Sequence, residues 1–132
     1  MLHSDLTYRI IQCSYALHNA VGTGFRERVY QNGMSVELRH AGLRASEEVP
    51  IALIYRGEDI GDFRADFVVE KRVLVELKSG EAIEPAHFAQ TLNYLRVSGL
   101  EVGLIINFGP AKVQIKRVVR TRDRGMEVEE CA

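Results

Sequence analysis

RADFVVEKRVLVELKSG, residues 64–80, constrains the fold of this chain more than any other stretch. Two apolar runs flank Glu70, Lys71 and Arg72, and each alternates with the period-two spacing of a β-strand. Phe63, Ala65, Phe67 and Val69 hold one parity of the first run, and Val73, Val75 and Leu77 hold the same parity of the second. A three-residue hairpin loop sets Val69 opposite Val73 and Phe67 opposite Val75. In that register Asp66 faces Glu76 and Arg64 faces Lys78. A two-residue loop would pair odd with even positions and scramble both faces. The hairpin is therefore expected to carry its apolar set on one face and Asp66, Glu76 and Lys78 on the other.

Directly opposed strand side chains have Cβ atoms about 4.5–5.5 Å apart, and like charges so placed destabilise a sheet. Two arrangements would compensate Asp66 and Glu76. In one, the face is half exposed and Lys78 neutralises Glu76. In the other, a divalent cation sits between the carboxylates; Mg²⁺ takes one or two such ligands and keeps several waters. Helices cover the faces of most mixed sheets, so this charged face is expected to lie in a partly buried cleft, which favours the cation.

The remaining periodicities fill in an α/β domain. Leu6, Ile10, Leu17 and Val21, with Ile11 beside them, predict a helix that Gly22-Thr23-Gly24 breaks. A second helix is expected over 26–41, with Val29, Val36 and Phe25 inward and Gly42 ending it. Val49–Tyr55 reads as a strand and Arg56-Gly57-Glu58-Asp59 as a turn. After the hairpin, Glu84-Pro85 opens a helix that Ser98-Gly99 closes, with Phe88, Leu92 and Leu95 as its core stripe. Strands follow over 102–107 and 113–119. The expected order is α-α-β-β-β-α-β-β around a mixed central sheet flanked by helices. One domain spans 1–132, with its core at about 6–119 and a frayed polar tail over 120–132.

Charge is unevenly spread. The net charge is −1, yet the segment 112–124, KVQIKRVVRTRDR, holds six basic residues and one acid. Its Lys112, Lys116 and Arg117 form either a phosphate-facing stripe or a solvated edge strand guarded by charge. No apolar run is long enough to span a bilayer, and MLHSDLTYR lacks a signal-peptide pattern, so a cytoplasmic protein is expected. Two cysteines, Cys13 and Cys131, far apart in sequence, point to plain thiols. His3, His18 and His40 show no metal-ligand spacing. Asn107 reads as a turn residue at a strand end.

The Asp66…Glu76-Leu77-Lys78 pattern resembles the core signature of the PD-(D/E)XK nuclease superfamily, with Ala65 where the name has proline. GFRERVY, Gly24–Tyr30, is similar to the name-giving motif of the bacterial GxxExxY proteins of that superfamily. The resemblance runs from about Leu6 to Val119 and includes GLIINFG at Gly103–Gly109. It implies a PD-(D/E)XK nuclease-like fold. It implies that Asp66 and Glu76 are metal ligands, with the Leu77 carbonyl as a further ligand, and that Lys78 is the catalytic lysine. Glu27 would be an extra catalytic carboxylate, binding the metal directly or through water, and Gln90 and Tyr94, which share a helix face, would orient water or phosphate. Read from its position alone, Glu27 equally suits the positive end of a helix dipole, and Gln90 and Tyr94 a polar helix edge.

The expected function is a Mg²⁺- or Mn²⁺-dependent nuclease acting on DNA or RNA, with Arg26, Arg28, Lys112, Lys116 and Arg117 on backbone phosphates. The alternative is a non-catalytic module of nuclease fold that binds nucleic acid or a protein partner. A chain this short also suits a homodimer, or a protein partner that confers specificity.

Overall fold

A computed structural model describes residues 2–61 and 63–131. Two helices come first, α1 (Ser4–Val21) and α2 (Glu27–His40). Strand β1 (Ala45–Ile51) leads to a small hairpin, β2 (Ile54–Tyr55) and β3 (Glu58–Asp59). Strands β4 (Phe63–Val69) and β5 (Val73–Lys78) precede α3 (Pro85–Ser98), and β6 (Val102–Asn107), β7 (Gln114–Arg120) and β8 (Met126–Cys131) complete the chain. The main sheet runs β1-β4-β5-β6-β7-β8. Only β5 and β6 are parallel, and α3 makes the crossover between them. The expected mixed α/β fold is present, with one small hairpin and one outer strand added. Among the described residues no helix is long and apolar enough to cross a membrane.

Two apolar layers sandwich the sheet. On one side, Ile10, Leu17, Tyr30, Met34 and Leu38 of α1 and α2 pack on Phe67, Val75, Leu77, Leu104 and Ile106. On the other, Tyr94 and Leu95 of α3 pack on Leu74, Ile105 and Val118. The buried stripe of α2 is Tyr30, Met34 and Leu38, spaced by four. Val29, Val36 and Phe25, expected inward, are exposed instead. The longer Tyr, Met and Leu side chains reach the sheet from the neighbouring face and bury more area than valine would. Val21, the last residue of α1, is also exposed.

Two further expectations are corrected. The first sheet strand begins at Ala45 and ends at Ile51; Ile54 and Tyr55 instead pair with Asp59 and Glu58 across an Arg56-Gly57 turn of positive φ. The tail after Thr121 forms β8, antiparallel to β7. Glu130 pairs with Lys116 at 3.2 Å and Glu129 with Arg117 at 3.6 Å. The acids of β8 thus complement the bases of β7, which is an inner strand. Residue 132, the end of the expected tail, lies outside the described residues.

Candidate active site

Asp66 stands at a double break in the sheet. Toward β1 the ladder pairs Glu47 with Phe67 and Val49 with Ala65, but Glu48, at φ 50, does not pair with Asp66. Toward β5 the ladder pairs Val69 with Val73 and Phe67 with Val75, as the three-residue loop requires, and ends there. The expected Asp66–Glu76 and Arg64–Lys78 pairs do not form. Arg64 pairs with Pro50 of β1, and β5 continues along β6, setting Glu76 against Ile105 and Lys78 against Asn107. Past Val75 the strands part, and Asp66 Oδ2 accepts the Leu77 N–H at 2.7 Å. A carboxylate takes the place of a strand carbonyl. The apolar set also divides at this point: Phe67 and Val69 join the α1/α2 layer, while Ala65 joins the α3 layer.

Glu76 is buried, and its Oε1 has no hydrogen-bond partner. Burial first, then the Asp66 charge, pushes its pKa up to about 8 against the pull of Lys78. Burial also raises Asp66, while the Leu77 N–H and Lys78 lower it. Glu27 opens α2 with an exposed residue surface, but partial burial of its carboxyl still raises its pKa. Lys78 opposes that rise and Asp66 adds to it. Glu27, Asp66, Glu76 and Lys78 therefore share one electrostatic neighbourhood.

From α3, Tyr94 is buried beside this group. Burial, Glu76 and Asp66 raise its pKa in that order, and the Gln90 side chain beside its hydroxyl lowers it. The Tyr94 hydroxyl stays a donor through the neutral range. His87, near the same face, is used up locally: its Nδ1 accepts the Glu84 N–H at 3.0 Å in a capping box.

Among the described residues no three His, Cys, Asp or Glu side chains gather closely enough to hold a metal ion by themselves. Two carboxylates do meet the chemistry of Mg²⁺ or Mn²⁺, which keeps waters and accepts substrate phosphate in its remaining positions. The unpartnered buried oxygen of Glu76, next to a second carboxylate, is the feature that a cation would satisfy.

Asn107, read from the sequence as a turn residue, is more than that. It is fully buried at the end of β6, where its Nδ2 donates to the Gly80 carbonyl at 3.0 Å and its Oδ1 accepts the Gly109 N–H at 3.1 Å. It fastens the loop that follows Lys78. Its place in GLIINFG, level with Lys78, is the sequence signal. Gly24 has φ +97 and open space around it, so the motif glycine serves backbone conformation rather than close approach. Tyr30 is core: its hydroxyl donates to the Gly22 carbonyl at 2.7 Å and its ring stacks on Phe108.

The basic residues fare unevenly. Arg26 is exposed at the residue before α2, and Lys112 is exposed before β7. Arg28 is held by Glu48 at 3.1 Å. Lys116 is drawn to Glu130. Arg117 is buried and donates to the Leu2 carbonyl, so its expected phosphate contact is corrected: the guanidinium is committed to the fold.

Residues 4–118 match a family model described as the PD-(D/E)XK nuclease superfamily. Among solved structures the chain is similar to one described as "Crystal structure of SSO0001", with a TM-score of 0.54 and 20% identity. The match covers 87% of this chain and 57% of that one, so the chain spans little more than half of that protein's length. The likeness is one of fold. No curated protein matches the chain.

Proposed function

The chain belongs to the PD-(D/E)XK nuclease superfamily, and from that premise we propose that it is a Mg²⁺- or Mn²⁺-dependent phosphodiesterase acting on nucleic acid. The observation that carries this reading is the unpartnered Oε1 of buried Glu76, set beside Asp66 and within the field of Lys78. A buried carboxylate oxygen without a partner is costly, and a cation site is the arrangement that makes it useful. The motif GFRERVY over Gly24–Tyr30 supports placing the chain with the GxxExxY proteins.

Asp66 and Glu76 would hold the cation, with the Leu77 carbonyl as a further oxygen ligand and Glu27 binding directly or through water. The bound ion lowers the pKa of water and polarises the scissile phosphate. Asp66 keeps its second role, accepting from Leu77 N–H, so that ligand position and strand separation are set by one side chain. Lys78 holds the attacking water and offsets charge that develops on the phosphate oxygens. Tyr94 would donate from α3 toward the same region, with the Gln90 side chain beside its hydroxyl. Arg26 and Lys112, both exposed, are suited to backbone phosphates.

The test is calorimetric titration of Mg²⁺ and Mn²⁺ into the protein, with and without a short oligonucleotide. It is paired with cleavage assays on single- and double-stranded DNA and RNA. Binding and cleavage that both vanish in Asp66→Asn and Glu76→Gln support the reading. A wild type that binds no cation even with oligonucleotide, and cleaves nothing, leaves the non-catalytic nuclease-fold module as the better account.

A further inference from the structure

Three surface features join along α3. Tyr94, beside the carboxylates, and Gln90 line an open groove of ≈ 610 Å³. Leu53, Phe63, Ala86, Ala89 and Val97 make the groove mainly apolar. Phe63 is 37% exposed, and its ring lies 5.4 Å from that of Tyr94. Arg96, at the other end of the groove, also lines a second cavity of ≈ 390 Å³ with Arg120, Thr121, Arg122 and Arg124. From Gln90 to Arg96 the helix axis rises about 9 Å.

The arginine cavity is positive overall. Glu101 lies beside Arg120 and Arg122, and Asp123 is engaged by Thr121 and the Gly125 N–H. Among the described residues none of the four arginines is ion-paired. Arg96 donates to the Arg124 carbonyl, and Arg120 to the carbonyls of Leu100 and Gly99 at 3.1 and 3.2 Å. These bonds hold two guanidinium groups in place at the end of α3. Arg122 and Arg124 are exposed in the β7–β8 turn.

We propose that a single-stranded nucleic acid lies along α3, its unpaired bases against the apolar groove and a backbone phosphate in the arginine cavity. Guanidinium groups match phosphate geometry and stay charged. Phe63 and the aliphatic groups beside it offer nothing to a duplex, whose bases are stacked inside and whose surface is phosphate and groove edge. An unpaired base carries an exposed π-face that stacks on an aromatic ring whatever its sequence. The proposal rests on the nuclease reading for the occupant's chemistry and for its course toward Glu76.

The test reads binding, not cleavage. Fluorescence anisotropy in EDTA over a range of salt would compare labelled single strands with the corresponding duplex, for wild type, Arg122→Gln/Arg124→Gln, Phe63→Ala and Phe63→Leu. Wild type is expected to prefer the single strand. The double arginine variant should lower the salt slope of log affinity by up to about 0.7, the value for one phosphate contact on a single strand. Phe63→Ala should weaken binding about 5- to 150-fold with the slope unchanged. Phe63→Leu, which keeps apolar volume but no ring, should show much of the same loss. Equal or tighter binding of duplex, or an unchanged salt slope in the arginine variant, overturns the proposal. Calorimetry separates the two readings: single-strand binding without any cation site removes the nuclease and leaves the track, and the reverse result removes the track alone.

Discussion

The Oδ2 of Asp66 accepts the backbone N–H of Leu77 at 2.7 Å, one residue beyond Glu76. That bond joins two strands just where their ladder stops. The side chain is therefore structural and chemical at once, and the two roles separate by substitution. Asp66→Asn keeps an acceptor for Leu77 and removes the charge. Asp66→Ala leaves the N–H of a buried residue unpaired, which costs about 1–3 kcal/mol. Denaturant melts should show the alanine variant less stable than the asparagine variant by that amount, since both lose the charge and only one loses the acceptor. Equal stability for both would mean that the bond contributes little.

Glu76 makes stability without metal fall as pH rises. Its folded pKa is about 8 against an ordinary 4.5, so the folded state binds the proton more tightly than the unfolded chain does. Stability is full below about 4.5 and is lost progressively up to about 8, a difference on the order of 5 kcal/mol at most. The raised carboxyls of Asp66 and Glu27 act in the same direction. Urea titrations in EDTA at pH 5, 7 and 9 should show the decline, and Glu76→Gln should flatten most of it. A variant less stable than wild type at pH 9 would contradict a desolvated charge at Glu76.

Divalent cation should reverse that trend. Ligand carboxylates must be ionised to bind, so metal binding competes with the proton at Glu76. The rise in melting temperature caused by Mg²⁺ or Mn²⁺ is expected to grow from pH 6 to pH 9 and to be absent in Glu76→Gln. A rise that is independent of pH, or that survives the substitution, would place the cation elsewhere.

Parity made the register of β4 and β5 legible, because a one-residue slip would have turned apolar side chains outward. The Gly99 stop of α3 and the run Val102–Asn107 were legible for similarly local reasons. The break at Asp66 was not, since alternation assigns a face but says nothing of where a ladder ends. Nor was β8, whose acids make sense only once they face Lys116 and Arg117. The inward face of α2 was misread because Val29 and Val36 looked as apolar as Tyr30 and Met34; the sheet behind them decides. Asp66, Glu76, Lys78, Glu27, Gln90 and Tyr94 were all legible as candidates. Asn107 lies inside GLIINFG, but it carries no charge, and its bonds to the loop after Lys78 exist only in the fold.

Lys78 lowers the carboxyl pKa values of Glu27, Asp66 and Glu76 together. Lys78→Met should raise all three, shifting the onset of Mg²⁺ binding to higher pH. At pH 9, where the carboxylates are ionised, the variant should bind Mg²⁺ at least as well as wild type. Cleavage there should still be about 10²- to 10³-fold slower, the usual worth of one preorganised donor to developing charge. Slow cleavage that recovers fully at high pH would reduce Lys78 to an electrostatic neighbour of the ligands.

Gly109 tests how the loop after Lys78 is held. A Cβ built there would sit 2.0 Å from the Gly80 carbonyl oxygen, a backbone atom that cannot rotate away. That same oxygen accepts from Asn107 Nδ2, and the Gly109 N–H donates to Asn107 Oδ1. Gly109→Ala must therefore push the 79–80 segment off Asn107. Overpacking of this kind costs about 1–3 kcal/mol. Because the Lys78 carbonyl also accepts the Phe108 N–H at 2.9 Å, the displacement reaches the end of β5. The expected result is a lower melting temperature and a loss of cleavage that persists at temperatures where the variant is fully folded, with Mg²⁺ binding by Asp66 and Glu76 retained. Gly24→Ala is the control: it meets no atom within 4 Å and is strained only by its φ of +97. A Gly109→Ala protein as stable and active as wild type would show that the loop yields freely and that Asn107 does not position Lys78.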